Sequence, residues 1–166
     1  MTYTWHDIDG RTVEICDECG FDARELTGND DEQRRLDGAY AELERLLDHP
    51  DADRRPAPET WSAREYVEHC LDVATVMLGW VADLTGSESQ GELTDLAACR
   101  RTVAALVPPL TDDQRAVVQH GEYAQPVTVE WLLDHLLHDT EHHVLDLRRG
   151  YASLARAAHP EVSFRG

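Results

Sequence analysis

The sequence has no lysine; all 15 of its basic residues are arginine. That absence removes Schiff-base chemistry and a P-loop lysine from consideration. Positive charge is also outnumbered, 15 basic residues against 33 acidic ones for a formal charge of -18. Phosphate contacts need a basic face, so nucleic acid and anionic membrane are poor partners. No apolar run approaches the roughly 18 residues of a membrane span, and no signal-peptide core is visible, so the expected location is the cytoplasm. In that compartment the four cysteines read as thiols or metal ligands rather than as a disulfide framework. G-x-S-x-G, P-loop and dinucleotide fingerprints are missing too, which leaves hydrolase and kinase readings without support.

What is present is one domain's worth of chain, 166 residues, long enough to bury roughly 70% of the unfolded surface. Residues 1–28 lack helical periodicity. TWHDIDGRTVEI alternates around an Asp-Gly turn and suggests a short hairpin, and CDECGFD suggests a tight knuckle. The expectation is a short irregular N-terminal appendage carrying a CxxC pair, followed by a helical unit over residues 29–160. A first helix begins at Asn29 or Asp30 and runs to His49-Pro50, with Leu36, Tyr40, Leu43, Leu46 and Leu47 on one stripe. After the connection RRPAPET, Ser62 and Glu65 form a capping box that opens a second helix to about Leu84, before Gly86. It carries Tyr66, Cys70, Val73, Met77 and Val81 inward. GSESQGE reads as a loop, and a third helix follows from Leu93 to Val107, interrupted at Pro108-Pro109 and resumed after Thr111. Beyond the turn EYAQPV, Thr128 caps a fourth helix to Gly150, with an irregular continuation to Pro160. No strand is expected beyond the first hairpin. The fold class is all-α, a four-helix bundle.

The fourth helix carries LLHDTEHHVLDLRR, and at about 100° per residue it has two seams. Leu132, Leu136, Asp139, His143 and Leu147 border the apolar arc and look inward. Trp131, His135, His138, His142 and Leu145 lie roughly 100° away. Each seam holds an i, i+4 pair, the spacing that lets two side chains reach one ion: Asp139 with His143, and His138 with His142. Solvation does not account for an aspartate and a histidine on an inward face. A third ligand must come from another helix, and His69 sits two turns past the capping box at the edge of a buried face. Taken alone it reads as a structural histidine. Opposite Asp139 and His143 it completes a two-histidine, one-carboxylate site for zinc or another divalent ion such as nickel, manganese or iron.

W-S-x-x-E-Y-x-x-H-x-x-D in the second helix, with H-D-x-x-H-H-x-x-D in the last, resembles the DinB/YfiT-like superfamily of metalloenzymes over residues 30–150. That superfamily includes thiol S-transferases and mycothiol-dependent maleylpyruvate isomerases. The resemblance implies a four-helix bundle whose divalent metal is held by one histidine of the second helix and an i, i+4 pair on the last. The final histidine of such a site is followed three residues later by Gln or Asp, which here gives His143 and Asp146. The residue four earlier is then Asp139, where the isomerases have Glu and many other members have His. Because Asp is a less usual ligand at that position, His138 and His142 remain competitors. The implied function is S-transfer to, or isomerisation of, an electrophilic small molecule by a low-molecular-weight, mycothiol-like thiol. The alternative is a non-catalytic, stress-associated, metal-binding dimeric bundle, and a homodimer is compatible with the enzyme reading as well.

Cys16 and Cys19 are half of a zinc site by spacing; an exposed or redox-active pair is the competing account. Neither a preceding strand nor a helix starting on the pair is expected, which argues against thioredoxin-like use. Paired with the outer histidines, Cys16, Cys19, His138 and His142 would make a Cys2His2 set that staples the N-terminal segment to the last helix. Cys70 and Cys99 fall in helical patterns as small buried residues. Asp30, Asp31 and Glu32 read as first-turn charges favoured by the helix dipole.

Overall fold

The computed structural model describes residues 5–88, 91–121, 123 and 126–158. Strands β1 (Trp5–Ile8) and β2 (Arg11–Cys16) pair antiparallel with Ile8 opposite Arg11. Asp9 and Gly10 between them have φ of 53° and 76°, the left-handed pair that a two-residue hairpin requires and that Asp-Gly adopts at little cost. Thr4, where this hairpin was expected to begin, lies outside the described residues. β3 (Phe21–Asp22) joins the other edge of β2, and a 3-10 turn over Ala23–Glu25 leads on. Residues 5–22 therefore form a small three-stranded sheet rather than an irregular segment.

The helices are α1 (Asn29–Leu47), α2 (Ala63–Thr85), α3 (Leu96–Leu106), α4 (Asp112–Arg115) and α5 (Val129–Ala158). Ser62 and Glu65 form the reciprocal capping box at the start of α2, and Gly86 ends it at φ 69°. α3 begins later than Leu93 because Asp95 caps it, accepting from the Ala98 amide at 2.6 Å. A second pair, β4 (Val118–Gln119) and β5 (Val127–Thr128), precedes α5. The all-α expectation is thus corrected to a mostly helical chain with two small antiparallel sheets among the described residues. Of the expected turn EYAQPV, Glu122, Ala124 and Gln125 lie outside the description, as do Ser89 and Gln90 of GSESQGE.

Thr128 caps α5, accepting from the Trp131 amide at 3.1 Å. The helix does not break at Gly150 but runs regularly to Ala158; His159 and Pro160 lie outside the described residues. A glycine inside a helix costs only about 1 kcal/mol relative to alanine, and its open side lies beside Pro56.

Packing follows the apolar stripes. α5 lies against α1 and α2, α1 also meets α3, and α2 meets α3. Leu36, Leu43, Leu132, Leu133, Leu136 and Leu137 are wholly buried, each contributing on the order of 1.5–3 kcal/mol. Leu47, Tyr66 and Val73, expected inward, are only half-buried against this core. The N-terminal sheet covers the side of α5 that the helices leave open: Cys16 and Phe21 are buried, and Trp5 meets Trp131 edge-on at 4.6 Å. Glu32 is also buried, 1% exposed, and pairs with Arg115 at 2.8 Å. It lies in the first turn of α1 as expected, but as a core ion pair.

Candidate metal centres

α5 presents its two seams to two different neighbours. The inner seam meets α2. There His69 Nε2 lies 3.7 Å from Asp139 Oδ2, and His143 Nε2 lies 3.4 Å from Asp139 Oδ1. Bonds of about 2.0–2.2 Å to a tetrahedral ion place ligand atoms roughly 3.3–3.6 Å apart, so these separations suit a shared ion. His69 Nε2, Asp139 Oδ2 and His143 Nε2 are buried and have no hydrogen-bond partner. Three orphaned polar atoms facing one point are expensive unless a cation satisfies them, since each costs about 1–3 kcal/mol. The residue types and this geometry fit a divalent metal.

The charges agree. Burial works against ionisation of Asp139, but His143 and His69 more than offset it and hold the carboxyl well below its usual range. Burial likewise opposes a charge on His143, yet Asp139 and Asp146 push its pKa up to about 9. His143 Nδ1 donates to Asp146 Oδ2 at 3.0 Å, which points Nε2 at Asp139. That is the carboxylate-behind-histidine arrangement common at metal ligands. Trp61 packs against His69 with ring centroids 5.3 Å apart, and Tyr66 against His143 at 5.0 Å. His69 retains 28% side-chain exposure where Asp139 retains 7%, so the cluster is open on one side. It borders a cleft of 360 Å³ lined by Glu18, Glu59, Trp61, Tyr66, His143 and Asp146, among others. A second cavity of 490 Å³, between the first hairpin and the start of α5, touches none of the expected ligands.

The outer seam meets the N-terminal sheet. One ligand atom each from Cys16, Cys19, His138 and His142 lies within 4.8 Å of the other three, and Cys16 Sγ is 3.7 Å from His142 Nδ1. Both cysteines are free thiols. A strand does lead into the pair, because β2 ends on Cys16, but β3 follows the turn and no helix starts on it. Burial opposes ionisation of Cys16, and the amides of Cys19 and Glu18 together with His138 reverse that, lowering its pKa. Burial opposes a charge on His138, but Cys19, Glu14 and Cys16 push its pKa up to about 10; burial lowers that of His142. The two α5 pairs therefore do not compete for one ion, since His138 and His142 face the cysteines while Asp139 and His143 face His69. By contrast Cys70 and Cys99 are buried among apolar groups that raise their pKa, Cys99 to about 12, as expected of inert small residues.

One residue here was not anticipated from the sequence, Glu14, which also pairs with His135 of the outer seam. Glu14 is fully buried and accepts from His138 Nδ1 at 2.7 Å and His135 Nδ1 at 3.1 Å. The strand pattern concealed it, because alternation in RTVEIC marks Val13 and Ile15 as the apolar face. In the structure Glu14 and Cys16 are the buried pair, and Val13 and Ile15 are half-exposed.

These features define a helical protein with a two-histidine, one-carboxylate candidate metal centre between its second and last long helices. A match to the DinB superfamily covers residues 33–147, and the chain belongs to that superfamily. No curated protein and no solved structure matches it significantly.

Proposed function

We propose that this chain is a metal-dependent enzyme that uses a low-molecular-weight thiol for S-transfer to, or isomerisation of, an electrophilic small molecule. The observation that carries this reading is the convergence of three orphaned ligand atoms, on His69, Asp139 and His143, at the edge of an open cleft. In this reading α1, α2, α3 and α5 form the DinB-type four-helix bundle of residues 29–160, residues 1–28 are its CxxC-bearing appendage, and the protein works in the cytoplasm on small molecules. Among the described residues no helix is long and apolar enough to cross a membrane.

A divalent ion at these atoms, zinc first and nickel, manganese or iron after it, would supply the Lewis acidity that keeps a thiol ionised at neutral pH. The chain's own groups do the rest. Asp146 holds His143 in the required tautomer, and Trp61 and Tyr66 screen the cluster from water. Among the described residues the cleft walls carry Glu18, Glu59 and Asp146 and no arginine. Such walls repel anions but accept hydrogen bonds from hydroxyls, and aromatic faces beside them stack on sugar rings. This supports a neutral, sugar-bearing thiol of the mycothiol kind over an anionic one.

The test is conjugation of a low-molecular-weight thiol to an electrophilic dye. The rate is expected to fall to background on chelation, to return with added metal, and to be absent in His143→Ala. A chelated preparation retaining the full enzymatic rate would remove the mechanism. The absence of arginine from the cleft lining among the described residues favours a second reading, a non-catalytic, stress-associated, metal-binding dimeric bundle; it predicts metal uptake with no conjugation.

A further inference from the structure

We propose that Cys16, Cys19, His138 and His142 hold a structural zinc ion, separate from the inner centre, that pins the turn between β2 and β3 onto α5. Four atoms of the softer ligand types, two sulfurs and two imidazole nitrogens, form a complete tetrahedral zinc set with no position left for substrate. With bonds of about 2.3 Å to sulfur and 2.0 Å to nitrogen, such a set spans roughly 3.3–3.8 Å between ligand atoms. Cys16 Sγ and His142 Nδ1 already lie at 3.7 Å, and none of the four atoms is farther than 4.8 Å from another.

The surroundings support a ligand independently of spacing. His138 Nε2 is buried without a hydrogen-bond partner, although the opposite nitrogen is held at 2.7 Å by Glu14. Glu14 therefore acts as a positioning residue: it fixes the ring so that Nε2 faces the thiols, the role carboxylates play behind metal-bound histidines. Phe21 covers the same ring at 5.2 Å. The turn itself is built for the purpose, with the Gly20 amide donating to Cys16 O at 2.8 Å and Gly20 at φ 80°. Zinc uptake releases both thiol protons, so two thiolates, two neutral imidazoles and Zn²⁺ sum to zero charge.

This site also shapes the inner one. Glu18 lies between the two cysteines, is held by Arg149 at 2.6 Å, and forms a wall of the cleft beside His143. The ion would thus fix one side of the cleft through the turn that carries Glu18.

Cobalt(II) loading of the full-length chain tests the proposal without assaying activity. The wild type is expected to take up two equivalents and to show thiolate-to-cobalt charge transfer with the strong visible bands of a tetrahedral site. Cys16→Ser with Cys19→Ser should lose one equivalent and the charge-transfer band. His69→Ala should lose one equivalent and keep the band, which separates this site from the inner reading. One equivalent in the wild type with the band present supports the outer site while removing the inner one. If the double variant does not fold, the wild type decides: a mercurial reagent that caps Cys16 and Cys19 should release one zinc to a metal-indicator dye. Uptake without any sulfur band, including binding at Glu14, His135 and His138 instead, overturns the proposal.

Discussion

His143 is asked to do two things with two nitrogens. Nδ1 holds Asp146 and Nε2 faces Asp139, so the basicity of one is set by the charge behind the other. Asp146→Asn keeps an acceptor for Nδ1–H but removes that charge, and metal affinity at the inner site should fall by about 10–100-fold with helix content unchanged. Competition with a fluorescent chelator measures it, and an unaltered affinity would show that Asp146 is incidental. Asp134, elsewhere on α5, gives a different residue-scale expectation. Burial first, then the charges of Glu32 and Glu130, push its carboxyl up to about 8, against about 3.9 in an unfolded chain. Between those values the folded protein keeps the proton and the unfolded chain releases it, so stability falls as pH rises and the loss is complete above about 8. Asp134→Asn escapes that loss. Urea midpoints should show it gaining on the wild type from about pH 5 to about pH 8, by a few kcal/mol at most. A constant gap across that range would mean that Asp134 titrates normally.

At the scale of elements, α2 depends on its first turn more than its length suggests. The Ser62 hydroxyl accepts from the Glu65 amide at 3.3 Å while the Glu65 carboxylate accepts from the Ser62 amide at 2.8 Å. The entry of the helix that delivers His69 is fixed there. Ser62→Ala should cost about 1 kcal/mol in denaturant unfolding and leave the metal stoichiometry as it was; a cost near zero would show that packing alone sets the entry. This capping box was legible in the sequence, as were the two seams of α5, because both follow from spacings of three and four residues along one helix. What lies opposite a seam is not local information. The sequence paired His138 and His142 with Cys16 and Cys19 by ligand arithmetic, but it hid Glu14, since the apolar alternation of β2 points to the wrong face. Glu32 was hidden likewise: only the fold brings Arg115 to it from 83 positions away. Gly150 misled in the other direction, as the many buried contacts of α5 upstream, with Leu154 beyond, carry one poor helix former.

The whole molecule is shaped by a helix with occupied sides and by a surface of one sign. α5 is enclosed by α1, α2 and the N-terminal sheet, so the inner and outer candidate ion sites draw ligands from one helix, and a cation at either offsets local negative charge. The surface has no such relief. Even if every arginine paired with one acid, 33 less 15 leaves 18 carboxylates unpaired, and pairs such as Arg45 with Glu42 or Arg54 with Asp51 are largely exposed. Exposed pairs contribute about 0–1 kcal/mol each, whereas unpaired acids repel across the whole compact state. Salt weakens both effects, and the larger wins. Raising sodium chloride from about 0.1 M to about 1 M shortens the screening length from roughly 10 Å to 3 Å, and repulsion among many carboxylates loses more than a few marginal pairs do. The thermal midpoint of the metal-loaded protein should therefore rise with sodium chloride. A midpoint that fell over this range would mean that the arginine pairs, and not the excess of acid, dominate the electrostatics of folding.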